Sequence, residues 1–436
     1  VKSLRLALVL ALLSTCGLAA WAQDAAVRIR TDAVVDTRIP IAVPSFGCTP
    51  GLEAIAKEMT EVVRFDLEIT GLFLILPTEH QPASFTGFTD DPTKIDFDAW
   101  RATKMEHLTY GYVTEEGDKL TVQCRLFDMV STTQEIGQLL SAERKYPRLI
   151  AHRFSQEIIR LIDGVAGIGT SEICFSAGAS GTKEIYVADY DGANMTQVTN
   201  HKSISIGPRF SPDGRRIAYL SYKDRYPFLY VFDRSTGKST PLSKHVGLNA
   251  SPAWAPDAKT LALTLSKDGN TEIYVTNADG SNSKRLTQDR ASDTSPSFSP
   301  DGHQIAFVSD RSGRPQIFAM NADGSNVRRL SYQGGSSYDP VWSPDGKSIA
   351  YVAERPGDGL EIYVMDADGK NSRRLTDSQG SNESPTWSAD SRHVAFASTR
   401  SGKSEIWAIT LATGQWFRLM SLGISCQGPS WGPRAN

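Results

Sequence analysis

The chain has 436 residues, 40% of them hydrophobic and 22% charged, with 46 basic against 49 acidic side chains for a formal charge of -3. That length supports two or three domains with buried cores, and the composition is that of a folded globular protein. The absence of a basic excess, and of any Lys/Arg cluster, excludes a phosphate-backbone binder, so nucleic acid is not an expected partner.

Residues 1–22, VKSLRLALVLALLSTCGLAAWA, set Lys2 and Arg5 ahead of an apolar run from Leu6 to Leu13 and end in Ala20-Trp21-Ala22. This is the pattern of a secretory signal peptide, too short to remain as a spanning anchor. Cys16, after Leu13-Ser14-Thr15, offers a lipoprotein cut as a rival; the small residues of Ala-Trp-Ala fit cleavage better, so the mature chain is expected to begin at Gln23. Export permits disulfides. Cys48, Cys124, Cys174 and Cys426 would remain, none in a CxxC pair that would suggest zinc. Four buried thiols and one or two disulfides both stay open, because spacing alone does not decide pairing.

Gln23 to Val35, QDAAVRIRTDAVV, reads as a loosely held lead-in. After it, IPIAVPSF predicts a strand, and Leu52, Ile55, Ala56, Met59 and Val63 mark one face of a helix ending near Gly71. GLFLILP predicts a buried strand. Alternation on both sides of Glu115-Glu116-Gly117-Asp118 predicts a long hairpin. Pro147 opens a helix through Leu149, Phe154, Ile158 and Leu161 to Gly164, with proline first and glycine last. Residues 23–165 are therefore expected to form an α/β domain.

From 170 to 436 the chain repeats. A phrase such as PVWSPDG recurs at Pro208, Pro252, Pro296, Pro340, Pro385 and Pro429, at intervals of 44, 44, 44, 45 and 44 residues. A period in this range marks propeller blades. Within one repeat, SIAYVA, EIYVMD and RRLTD follow the phrase, separated by Asp-Gly turns, so each repeat supplies four short antiparallel strands. Four-stranded sheets bury their faces by stacking radially, which predicts a six-bladed β-propeller. The aromatics Phe210, Trp254, Phe298, Trp342, Trp387 and Trp431 are expected to wedge between adjacent blades. Glu172 onward supplies three strands with no inner strand of their own, and GPSWGPRAN supplies a lone inner strand at the far end. Joining them gives a 3 + 1 strand latch that closes the ring and brings Cys174 and Cys426 into one sheet. Turn chemistry is preferred rather than obligatory, since Ala258, Ala389 and Ser391 replace the turn's usual proline or glycine.

There is no G-x-S-x-G elbow, and the seven histidines show no H-E-x-x-H spacing, so they read as surface or packing residues. DADGKN at Asp366 lacks a calcium loop's closing glutamate and is expected to turn a hairpin. What varies between blades is the segment entering each inner strand: GLNAS, SDTS, SSYD and SNES. Variable segments on a rigid repeat are where recognition is built. Leu248, Asn249, Ser251, Asp293, Thr294, Tyr338, Asp339, Asn382 and Glu383 are expected to converge at one mouth of the channel. Acidic residues there could also hold a channel cation such as calcium.

The order of signal peptide, mixed domain and six blades, together with DTSPSFSPDGHQIAFVSDRSGRPQIF and the openings AVRIR and RIPIAVPSF, resembles the TolB family of the Tol-Pal system. The resemblance implies a non-enzymatic monomeric adaptor in the periplasm, without cofactor, that meets membranes only through its partners. It implies that the propeller mouth binds Pal, the peptidoglycan-associated lipoprotein. It also implies that the N-terminal segment, with Val27, Arg28, Ile29 and Arg30, binds TolA in support of outer-membrane integrity and constriction at division. In that family a histidine can stand where this chain has Leu248. The rival reading is a secreted hydrolase-associated propeller that gates a catalytic partner.

Overall fold

The computed structural model describes residues 37–434 other than 333, 334, 356, 358 and 378. The expected signal peptide and N-terminal segment, including Val27 to Arg30, lie outside the described residues. The first sheet contains β1 (Ile39–Ala42), β2 (Gly47–Cys48), β3 (Phe73–Ile75), β4 (His107–Glu116), β5 (Lys119–Asp128) and β6 (Gln134–Glu143), in the order β3-β1-β4-β5-β6 with β2 beside β4. β1 runs parallel to both neighbours, while β4, β5 and β6 form an antiparallel meander. Successive side chains of a strand point to opposite faces, and Ile41 and Ala42 show it. Ile41 joins the core under helices α1 (Glu53–Ile69) and α3 (Pro147–Asp163), whereas Ala42 joins Trp100 of the short α2 (Phe97–Arg101) in a second cluster.

The helices follow the expected periodicity. Ala56, Met59, Val63 and Leu67 of α1 meet Ile150, Phe154 and Ile158 of α3 in one core. Pro147 occupies the first turn of α3, and Gly164 closes it at φ 77°, donating its N–H to the Arg160 carbonyl. Leu161, expected on the buried face, is exposed in the last turn. The sequence reading also lacked β6, whose Gly137 and exposed Leu139 spoil the alternation that marks a half-buried strand.

The rest of the described chain is six four-stranded antiparallel sheets around an axis. In blade 1 the strands run from inner to outer as Ser205–Phe210, Arg216–Ser221, Phe228–Asp233 and Lys238–Ser243. Blades 2 to 5 repeat this order. The sixth sheet takes its inner strand from Ser425–Arg434, paired antiparallel to Ser171–Ala179, and its outer strands from Thr182–Asp189 and Thr196–Gln197. Each of the six aromatics packs in the apolar core between its own blade and the preceding one. Trp254 lies with Leu229 and Val231 of blade 1, Trp387 with Ile362 and Val364 of blade 4, and Phe210 with Ile185 and Val187 of blade 6. Burying such a side chain contributes about 2–3 kcal/mol per junction. The indoles of Trp254 and Trp387 also donate to carbonyls of the preceding inner strand, at 3.1 and 3.0 Å.

Cys174 and Cys426 share the sixth sheet, but Cys426 lies opposite Ala177 and Cys174 opposite Ser430. They belong to different cores, on opposite faces of the sheet, and all four described cysteines are free thiols. Among the described residues, no helix is long and apolar enough to cross a membrane.

Candidate functional site

Each inner strand begins at one end of the ring, here called the mouth, and finishes at the other end, the floor, in the turn that contained the repeated phrase. Antiparallel pairing sends the links between second and third strands to the mouth and those between third and fourth strands to the floor. The α/β domain sits on the floor. The Thr410 hydroxyl donates to the Ile69 carbonyl at 2.7 Å, Arg392 pairs with Asp163, and Phe65 of α1 stacks on Tyr190 at 5.9 Å. Gly71 brings the end of α1 so close that a Cβ there would stand 2.9 Å from the Thr413 side chain. The mouth lies at the opposite end from these contacts.

The channel wall has a repeated backbone device. Every inner strand breaks register just before its proline, and the residue at that point is left-handed: Gly207, Ser251, Ser295, Asp339, Ser384 and Gly428, at φ 61, 48, 50, 47, 56 and 58°. The bulge turns these positions toward the axis. A non-glycine residue held there costs roughly 1–3 kcal/mol, a strain that clusters at functional surfaces. Ser251, Ser295 and Asp339 line a cavity of about 390 Å³ on the floor side, while Gly207, Ser384 and Gly428 line one of about 650 Å³ on the mouth side.

The nine expected mouth residues divide into two groups. Leu248 and Glu383 are exposed, and Ser251, Thr294, Tyr338 and Asp339 are half-buried. Asn249, Asp293 and Asn382 are fully buried, because they are the first residues of inner strands rather than loop positions. Their side chains brace the mouth from behind. Asn249 accepts from the Ser243 hydroxyl at 2.7 Å and donates to the His245 carbonyl at 2.8 Å. Asp293 accepts from Arg311 at 2.7 Å, and Asn382 donates to buried Glu361 at 3.1 Å.

A second support escaped the sequence reading. The EIYV and RLT segments end in polar residues that meet behind the mouth: Thr199 donates to Glu184 at 2.6 Å, Thr287 to Glu272 at 2.5 Å, Ser331 to Gln316 at 2.8 Å, and Thr376 to Glu361. The Thr287 hydroxyl also accepts from the Ile273 amide at 2.9 Å. Each such bond ties third strand to fourth where the chain departs for the next blade, so the variable segments leave a fixed platform. The signal was the repeated glutamate and threonine at the two ends of an otherwise apolar phrase.

Also missed was an apolar rim. Among the described residues of the propeller, the exposed large apolar side chains Tyr222, Tyr226, Val246, Leu248, Tyr332 and Ile424 lie on mouth connections, and Met195 and Val327 lie on floor turns. Val246 is 92% exposed and Tyr332 71%. The exposed large apolar side chains of the ring are thus concentrated at the mouth.

Charge inside the channel is sparse. Asp339 on blade 4 faces Arg209 on blade 1, and it accepts from the Ser295 hydroxyl at 3.2 Å. Burial pushes the Asp339 carboxyl above its ordinary value, opposed by that guanidinium. The carboxylate is thus matched by an arginine and does not sit in a cage of oxygens. Among the described residues, the titratable cluster spaced for a metal ion is His152, Asp189 and Asp191, below the floor of blade 6.

Comparison with known proteins agrees with this geometry. A family profile described as the TolB beta propeller domain matches residues 160–359 and 335–436, and one described as the TolB amino-terminal domain matches residues 27–135. The chain is 38% identical over 209 residues to a Tol-Pal system protein TolB of Syntrophotalea carbinolica, covering 46% of each chain. It is 41% identical over 164 residues to that of Geobacter sulfurreducens, covering 38% of this chain and 37% of the other. These matches span less than half the length of either relative. The crystal structure of TolB from Acinetobacter baumannii superposes with a TM-score of 0.80 at 26% identity, over 91% of this chain and 97% of that one.

Proposed function

The chain belongs to the TolB family, and from that premise we propose that it is a non-enzymatic periplasmic adaptor of the Tol-Pal system. In this reading the mouth takes Pal and the segment holding Val27, Arg28, Ile29 and Arg30 takes TolA, linking the two membranes during constriction. In this reading the chain divides into residues 23–165 and 170–436, and the Pal surface belongs to the second of them. The pairing of Ser425–Arg434 with Ser171–Ala179 acts as the closing latch that keeps the mouth round. The observation that carries the proposal is the contrast at the ring's two ends: an apolar rim on a braced platform at one, and the α/β domain packed over the other.

On the mouth, Leu248, Ser251, Thr294, Tyr338, Asp339 and Glu383 form the contact surface with Tyr226, Val246 and Tyr332, while Asn249, Asp293 and Asn382 hold it in shape. Calorimetric titration of residues 23–436 with the same organism's Pal domain tests this. One-to-one binding is expected, weakened by Val246→Asp at the rim and unaffected by a charge change on a floor turn. No binding by the parent chain would overturn the Pal assignment.

A further inference from the structure

We propose that the junction beneath blade 6 is a divalent transition-metal site, zinc by the chemistry of its donors, ligated by His152 Nε2 and the carboxylates of Asp189 and Asp191. His152 projects from α3 and is 3% exposed. Its Nδ1 lies 2.9 Å from Oδ2 of Asp66, a carboxylate on α1 that also accepts from the Tyr190 hydroxyl at 2.5 Å and from Ser155. A carboxylate on Nδ1 places the proton there and leaves the lone pair on Nε2, which is how metal-bound histidines are held. That Nε2 is buried, has no hydrogen-bond partner, and stands 3.7 Å from Oδ2 of Asp191.

Asp189 ends the third strand of blade 6, and Asp191 lies in the turn that leads to the fourth. One ligand atom from each of His152, Asp189 and Asp191 lies within 4.8 Å of the other two. Donors about 2.1 Å from a tetrahedral ion stand about 3.4 Å apart, so small side-chain rotations would complete the set. The Asp189 carboxylate is already oriented, because its Oδ2 accepts from the Asn194 amide at 2.7 Å. Nitrogen with two carboxylates suits zinc better than calcium, which prefers six or more oxygens.

Charge supports the same conclusion. Asp66, Asp189, Asp191 and Glu58 converge on this junction, and the cation bridging them is Arg148, which lies 3.3 Å from Glu58 and also pairs with Asp191. Four carboxylates against one guanidinium and the His152 ring leave an excess of negative charge even when that ring is protonated, and the Asp191 side chain is only 6% exposed. A dication would neutralise Asp189 and Asp191 and leave Arg148 to Glu58. Because the ligands come from a helix of the α/β domain and from a propeller turn, the ion would cross-link the two.

The test uses residues 23–436 stripped with a chelator and titrated with zinc chloride, and it is independent of Pal binding. Uptake of one zinc per chain and a rise of several degrees in melting temperature are expected. Asp189→Asn keeps the Asn194 bond and should weaken zinc at least tenfold while the metal-free melt stays unchanged; His152→Gln should also weaken zinc at least tenfold, with a lower metal-free melt because it disturbs the buried bond to Asp66. No stoichiometric uptake at high-micromolar zinc, or an Asp189→Asn variant that binds as tightly as the parent, would overturn the site. Tighter binding of calcium than of zinc would overturn the donor assignment.

Discussion

The mouth and the floor of the ring are made by the same repeat, yet they finish in opposite chemistry. At the floor, polar side chains pair across to the α/β domain, buried as Tyr190 is with Asp66 or half-buried as Arg392 is with Asp163. At the mouth, polar side chains such as Asn249 and Glu361 are turned inward as braces, and the outward positions carry Tyr226, Val246 and Tyr332. A repeat that fixes its own strands leaves both sets of connections free to vary. One end is used for intramolecular packing, and the other carries the surface proposed to meet a partner.

The most severe way to break the comparison is to remove what both ends share. Deleting Ser425 to Asn436 takes away the inner strand of blade 6 and the Trp431 wedge, which lies between blades 5 and 6 beside the floor. Exposed sheet edge and an opened core should abolish the single sharp unfolding transition in calorimetry, and Pal binding with it. A truncated chain that melts as sharply as the parent would show that the latch adds nothing.

Acid should attack the floor through His393. This side chain is fully buried in blade 5, stacks 6.1 Å from Trp431, and has Nδ1 at 3.3 Å from the Thr410 hydroxyl that reaches the α/β domain. Burial depresses its value from 6.5 to about 4, with Asp390 opposing. The folded chain therefore refuses a proton that the unfolded chain accepts between those values, so stability is full above about pH 6.5 and falls toward pH 4. The loss is on the order of 3 kcal/mol. Urea unfolding at pH 7 and 4.5 should show a smaller pH loss in His393→Gln than in the parent; equal losses would remove His393 from the account.

At the mouth the expected effects are on binding and not on folding. Val246→Asp and Tyr332→Ala alter side chains that touch solvent, so stability should stay within about 0.5 kcal/mol of the parent. Each should weaken Pal by roughly 1–2 kcal/mol, about tenfold, if it lies in the contact. Equal affinity in both variants would move the contact from the rim into the channel.

Much of this contrast was legible in the sequence, and for a physical reason. A core built six times writes itself six times, so Pro208 to Pro429 and their aromatics gave the ring, its wedges and the pairing of its ends. The α/β domain is written once, and elements such as β6 carry too few alternating residues to stand out. At the site, the residues entering each inner strand looked like free loops because Asn249, Asp293 and Asn382 are polar. Their burial depends on partners such as His245, Arg311 and Glu361, set by the folded ring. The apolar rim was hidden because a lone tyrosine or valine in a connection reads the same whether it is buried or exposed.

The gentlest test concerns the floor turns. Gly214, Gly302 and Gly346 take φ of 67, 73 and 72°, and where glycine is missing the backbone keeps the same shape: Ala258 is at 53° and Ser391 at 61°. A side chain in this conformation costs about 1–2 kcal/mol, and the extra freedom of glycine in the unfolded chain returns about half of that. Ala258→Gly should therefore stabilise the chain by about 0.5–1 kcal/mol, read as a rise in the urea midpoint without a change in slope. Ser391→Gly should gain less, because the Ser391 hydroxyl accepts from the Asp345 amide at 3.1 Å, joining neighbouring blades, and the variant loses that bond. Since both turns lie at the floor, neither variant should change Pal affinity; a change with either would mean that the floor and the mouth are coupled through the strands that join them.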